Sequence, residues 1–228
     1  MALDVARIKT VVMDSYSTLL DVDSAAEPLR RKIGNADEVA RLWRAESLMY
    51  GMLCNFYRVY EDFYELNRKA LKYALKVHAI ELPDSEVDDI LGVYHELKVF
   101  DDVRTGVQAL RGLGYPVYVL SNGSPDMLRS LVRIARIDDL ITDFISVEEV
   151  HQYKPARELY LHGARRANTA AEHMVHISAG WFDVAGAQQV GMQGIWMNRK
   201  NEVPRSFGPA PDLVVQGFAE VVECLGGK

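Results

Sequence analysis

Ile8 to Met13 is an apolar, largely β-branched run interrupted by Lys9 and Thr10. It ends in a lone acid, Asp14, followed by Ser15-Tyr16-Ser17-Thr18-Leu19-Leu20-Asp21. Such a run predicts a buried strand over 8–14 with the carboxylate at its C-terminal edge. Open parallel sheets bind ligands at that edge, and a carboxylate shielded there can act as a covalent nucleophile. Taken alone, the segment is equally compatible with an aspartate that caps a following helix.

From Ala25 to about Leu97 the period lengthens to that of helices, with no convincing strand. Asn35-Ala36-Asp37-Glu38 has the spacing of a capping box and predicts a helix through Val39, Leu42, Trp43 and Leu48. A second helix is expected over roughly 57–78, carrying Tyr60, Phe63, Tyr64, Leu71 and Leu75. A third runs from Asp84-Ser85 through Ile90, Val93 and Leu97. From Thr105 the pattern alternates: helix 106–113, strand 116–121, helix 126–135, strand 144–147, helix 156–167, strand 174–178, helix 183–190, strands 194–197 and 213–215, and a closing helix. That alternation predicts right-handed βαβ crossovers and a parallel sheet covered on both faces. The expected fold class is α/β, with a parallel-sheet core of 1–21 and 98–228 and a helical cap subdomain of 22–97 inserted after the first strand.

Length and charge narrow the function. A chain of 228 residues allows one domain with an insertion. A net charge of -6 argues against the basic face that nucleic acid or an anionic membrane requires, so neither is an expected partner. A small anionic substrate needs only one or two local cations. Cys54 and Cys224 lack CxxC spacing, which argues against a disulfide framework or a cysteine zinc site. There is no signal-peptide pattern and no apolar run of the ~20 residues a membrane helix needs, so a cytoplasmic protein is expected. The six histidines have no metal-ligand spacing and read as structural or surface residues.

Three further strand ends carry polar groups that an apolar core disfavours. They are Ser121-Asn122-Gly123-Ser124, Tyr153-Lys154-Pro155, and Ser178-Ala179-Gly180-Trp181-Phe182-Asp183. In a doubly wound sheet these ends converge with Asp14 on one crevice. A hydroxyl, an amide, an ammonium and a second carboxylate then surround one nucleophile.

On these residues the chain resembles the haloacid dehalogenase superfamily and, within it, the L-2-haloacid dehalogenases. The resemblance is carried by Asp14 to Asp21, Leu120-Ser121-Asn122-Gly123, Tyr153-Lys154-Pro155 with Tyr160, Ser178 with Asp183-Val184-Ala185-Gly186-Ala187, and Leu42-Trp43-Arg44 in the cap. It covers nearly the whole chain and implies a Rossmann-like core beneath a helical cap.

The implied reaction is hydrolysis of (S)-2-haloacids to (R)-2-hydroxy acids through an ester on Asp14, with no metal and no cofactor. Lys154 would balance the charge of Asp14 and hold the substrate carboxylate, with hydrogen bonds from Ser121 and Thr18. Arg44 and Asn122 would cradle the halide; Ser178 and Asp183 would orient Lys154 and the hydrolytic water, with Tyr160 in the same network. Ser15 belongs to the substrate site, and Tyr16, Leu48, Phe63 and Phe182 would form its apolar wall. The resemblance also implies a homodimer through cap aromatics such as Tyr57, Tyr60 and Tyr64. Each residue has a plainer reading: Arg44 as a solvated helix arginine, Lys154 as a surface lysine, Tyr160 and Phe63 as core packing.

Most members of the superfamily resemble magnesium phosphatases, with a second acid two residues after the nucleophile and a metal-binding acid five residues before the position of Asp183. Here those positions are Tyr16 and Ser178. Losing a hard carboxylate ligand and the general acid together disfavours phosphoryl transfer. The chain also departs from the dehalogenase pattern: Ser17 stands where a glycine is usual, Ala45 where an amide follows the arginine, and Gly180 where an asparagine helps place water. The last leaves an alternative open, an enlarged pocket that takes another C2 leaving group, such as a strained cyclic 2-carboxylate.

Overall fold

The structure, a computed structural model, describes residues 2–226. In chain order it runs β1 (Thr10–Met13), β2 (Leu20–Asp21), α1 (Ala26–Arg30), α2 (Ala36–Tyr57), α3 (Phe63–Val77), α4 (Asp84–Leu91), β3 (Lys98–Val99) and α5 (Val103–Gly112). It continues β4 (Val117–Ser121), α6 (Pro125–Ala135), β5 (Asp143–Ser146), α7 (Arg157–Arg166), β6 (Met174–Ser178), α8 (Trp181–Gln188), β7 (Gln193–Met197), β8 (Leu213–Val215) and α9 (Phe218–Gly226).

Six strands form one parallel sheet in the order β5-β4-β1-β6-β7-β8. β1, β4 and β6 are buried along their whole length, the pattern of strands covered on both faces. β1 is flanked by β4 and β6, with Met13 opposite Val119 and Ile177. Because every strand points the same way, their C-terminal ends share one edge, and Asp14 lies there with its N–H donating to Ile177 O at 2.9 Å.

β2 and β3 pair antiparallel and close a two-stranded neck where the chain leaves the sheet and returns to it. Between them lie the helices of the cap. α2 and α3 are joined by buried polar groups: Trp43 Nε1 donates to Asn67 O at 2.9 Å, and Ser47 Oγ donates to Asn67 Oδ1 at 2.9 Å. Gly51 is needed where α2 meets the core, since a Cβ there would sit 3.1 Å from the ring of Tyr153. No helix among the described residues is long and apolar enough to cross a membrane.

Two local expectations are corrected. No capping box forms at Asn35, whose Nδ2 instead pairs with His78 Nδ1 at 3.0 Å. The break between the first two cap helices falls later than expected: α2 continues through Tyr57, turns at Arg58 with φ 57°, and α3 starts at Phe63. Asp62 is the actual cap, its Oδ1 accepting from Tyr64 N at 2.7 Å. The core elements otherwise begin and end within a few residues of expectation.

Candidate active site

Lys154 is the centre of the site. Its ammonium donates to Asp14 Oδ1 and to Asp183 Oδ2, both at 2.7 Å, and the residue is only 3% exposed. Burial alone would push this ammonium down, but the two carboxylates hold it above the usual lysine range. The backbone supports the placement: Lys154 N donates to Asn122 Oδ1 at 2.9 Å. Asn122 thus orients the lysine from the end of β4 through its amide oxygen.

Thr18 fixes the other oxygen of Asp14. Ala179 N donates to Thr18 Oγ1 at 2.9 Å, which leaves the hydroxyl proton to go to Asp14 Oδ2 at 3.0 Å. The turn that brings Thr18 back passes through Ser17 at φ 70°, the left-handed conformation that a glycine would adopt without cost.

Asp183 lies in the first turn of α8 and is 2% exposed. Burial pushes its carboxyl up, but His176 and Lys154 more than reverse that, and the group lies well below the usual carboxylate range. Tyr160 Oη donates to Asp183 Oδ1 at 2.7 Å. Burial and the adjacent Asp183 charge raise the Tyr160 phenol well above its ordinary value, so it remains a proton donor.

The remaining expected residues take definite places. Ser15 and Ser121 share a 2.6 Å hydroxyl contact, and Ser121 Oγ also accepts from Gly123 N at 3.0 Å. Ser178 Oγ accepts from Gly180 N at 3.0 Å, so the bond it makes serves the turn into α8. Tyr16 is buried against Phe63 and Tyr94, with ring centroids 6.3 and 5.7 Å away. Its phenol is raised by burial and its oxygen has no hydrogen-bond partner. Arg44 is half-buried on α2, its Nη1 is also without a partner, and its charge acts on both Tyr16 and Tyr94. Leu48 is half-buried one turn further along α2. Phe182 is half-buried beside Gly180, and its ring would lie 3.2 Å from a Cβ at that position.

Two residues of this network escaped the sequence reading. His176, read as structural or surface, is fully buried with Nε2 3.0 Å from Asp183 Oδ2; its position two residues before Ser178 on one strand was the available signal. Arg199 follows β7, stacks over Phe100 at 4.1 Å, and donates to Thr18 O at 3.1 Å and to both oxygens of Asp102. A cationic residue just past a strand end gave no hint of that reach.

A parallel sheet with a helical cap and these strand-end residues defines a class. The model of the haloacid dehalogenase-like hydrolase family matches residues 8–191, and the chain belongs to that family. Within it, the chain is 31% identical over 205 residues to (S)-2-haloacid dehalogenase 1 of Pseudomonas sp. (strain CBS-3), covering 90% of each chain. It is 32% identical over 185 residues to the (S)-2-haloacid dehalogenase of Xanthobacter autotrophicus, covering 81% of this chain and 72% of that protein. The solved L-2-haloacid dehalogenase from Xanthobacter autotrophicus superposes with a TM-score of 0.91 at 27% identity, over 96% of this chain and 99% of that one. The structure of that enzyme with chloropropionic acid covalently bound superposes with a TM-score of 0.88. The particular group to which the chain belongs is the L-2-haloacid dehalogenases.

Proposed function

We propose that this protein hydrolyses (S)-2-haloacids to (R)-2-hydroxy acids without a metal ion. The observation that carries the reading is the Lys154 ammonium held 2.7 Å from both buried carboxylates, Asp14 and Asp183. It holds the charge that a divalent cation would otherwise neutralise. Magnesium does not fit this arrangement: it needs an octahedral shell of hard oxygens, and here an ammonium bridges the carboxylates. Ser178, at the position of the missing third acid, already accepts a backbone hydrogen bond.

In the first half-reaction a carboxylate oxygen of Asp14 attacks C2 from the side opposite the halogen. The C–O bond forms as the carbon–halogen bond breaks, and the halide leaves with the bonding pair. Oδ2, bound by the neutral hydroxyl of Thr18, is the better nucleophile, because an ammonium withdraws more from Oδ1. Halide departure needs no general acid, so Tyr16 at the general-acid position is no obstacle. The partnerless Nη1 of Arg44 supplies a charged donor for the leaving anion, and such donors act most strongly in a water-poor pocket. Tyr16, Phe63, Leu48 and Phe182 enclose the alkyl group. Ser15 and Ser121 bind the substrate carboxylate with Lys154.

In the second half-reaction water attacks Cγ of the Asp14 ester, its proton passing to Asp183. Cleavage of the acyl C–O bond returns the Asp14 carboxylate, the departing alkoxide takes the remaining water proton and leaves as the 2-hydroxy acid, and Asp183 passes its proton on to solvent. Splitting displacement from hydrolysis in this way is covalent catalysis. The relative with covalently bound chloropropionic acid supports an adduct as an intermediate.

Incubation with L-2-chloropropionate in EDTA tests the reading. Chloride release, an Asp14 adduct of chloropropionate less chloride in quenched mass spectra, and loss of both in Asp14→Asn are expected. Phosphate release from generic esters, restored by magnesium, with no chloride from the haloacid, would overturn it.

A further inference from the structure

His176 is a polar residue placed where β6 is otherwise sealed. It pairs with Val12 on one side and Gly194 on the other, and is 0% exposed. Gly194 brings α8 close over this face of the sheet, since a Cβ there would lie 2.6 Å from Val184. The imidazole is thereby held under the first turn of α8, edge-on to the Tyr160 ring with centroids 5.7 Å apart. Its Nε2 is 3.0 Å from Asp183 Oδ2 but off-axis, and neither ring nitrogen makes an aligned hydrogen bond.

Burying two ring nitrogens with so little pairing is costly, and Asp183 is the anion beside the ring. The tautomer with its hydrogen on Nε2 faces that carboxylate with a donor and leaves a bare acceptor at Nδ1. The other tautomer would aim a lone pair at the carboxylate and bury an unpaired N–H. Asp183 thus accepts hydrogen bonds from Lys154 at Oδ2 and Tyr160 at Oδ1, with the His176 Nε2 in close electrostatic contact at 3.0 Å from Oδ2.

These contacts differ in how they respond to the chemistry. When Asp14 becomes an ester it loses its charge, and Lys154 loses one of its two ionic partners. Its ammonium is then free to shift. The His176 contact and the Tyr160 hydrogen bond to Asp183 do not depend on Asp14. From this geometry we infer that His176 is a positioning residue for the second half-reaction, holding Asp183 in place while water attacks the ester; the inference rests on the ester reading above. The first half-reaction is insulated from it, because Asp14 bonds to Lys154, Thr18 and the β6 backbone and not to His176.

Single-turnover mixing with L-2-chloropropionate, quenched and read by intact mass, separates formation of the Asp14 adduct from its decay. For His176→Phe, which keeps an aromatic ring and removes the donor, adduct formation stays within about threefold of the unmodified protein while decay slows by roughly tenfold or more. His176→Gln, whose amide reaches toward Oδ2, recovers most of the decay rate. Should His176→Phe not fold, His176→Met supplies the donorless comparison. The inference is overturned if the donorless variant decays at the unmodified rate, if both steps slow together, or if the glutamine variant is as slow as the donorless one. If the unmodified protein gives neither adduct nor chloride, the parent reading fails and takes this one with it.

Discussion

Asn55, on the cap, makes a two-bond ring with the backbone of Tyr153, on the core. Its Nδ2 donates to Tyr153 O and its Oδ1 accepts from Tyr153 N, both at 2.7 Å. The next residue is Lys154, so the cap is fastened one peptide from the centre of the site. Asn55→Ala leaves both backbone groups of Tyr153 without these partners, at a cost of about 1–3 kcal/mol. A thermal melt lowered by roughly 2–12 °C is expected, with a KM for the haloacid raised several-fold as the cap closes less firmly.

Removing the cation is more severe. Lys154→Met leaves Asp14 and Asp183 as buried carboxylates with nothing between them. An uncompensated buried charge costs about 3–5 kcal/mol, so the urea midpoint falls sharply. Chloride release disappears, and acidification restores part of the stability by protonating one acid.

The shifts at Asp183 and Lys154 also define a pH range. The folded carboxyl of Asp183 lies well below its unfolded value, so its stabilisation is complete above about pH 4 and is lost as pH falls further, toward its folded value. Lys154 is raised, so its contribution is complete below about pH 10 and is lost as pH rises through its folded value. Stability is therefore expected to be insensitive to these two groups between about pH 5 and 10. In Asp183→Asn, urea titrations across the acid range lose the Asp183 component below about pH 4.

Ser17 offers a gain. A non-glycine residue in the left-handed region costs about 1–2 kcal/mol, and the freedom a glycine adds to the unfolded chain takes back about 0.5–1 kcal/mol. The difference favours Ser17→Gly by about 0.5–1 kcal/mol, visible as a melting temperature roughly 1–4 °C higher. Turnover is expected to stay within twofold.

A second gain lies at the seam between cap and core. Burial and the carboxylate of Asp62 raise the Glu148 carboxyl, and both residues line a surface groove with His95 and Asp126. For a raised carboxyl the protonated form favours folding at low pH, and that benefit is lost as pH rises through its folded value. Glu148→Gln is expected to stabilise the protein at pH 7 by about half a kcal/mol, since solvent screens much of the repulsion. The advantage shrinks as the pH of the melt is lowered toward 4.

The sequence was readable where topology forces an outcome. Asp14, Lys154 and Asp183 follow strands of one parallel sheet, so their convergence follows once the strands are recognised. The break between α2 and α3 was hidden because aromatic residues run through it: Tyr60 belongs to neither helix and stacks on His151 at 4.2 Å. The Asn35 cap failed because a residue 43 positions away competes for its amide. His176 was concealed by lying in an apolar strand, where a histidine reads as core. Arg199 depends on contacts that only the folded neck creates.

Arg199 reaches back 181 residues to the Thr18 carbonyl, and Lys154 reaches 140 residues to Asp14. During synthesis Asp14 therefore emerges well before the lysine that pairs with it and the arginine that braces its turn. A chain that lacks Arg199 has no guanidinium to hold the Thr18 carbonyl of that turn.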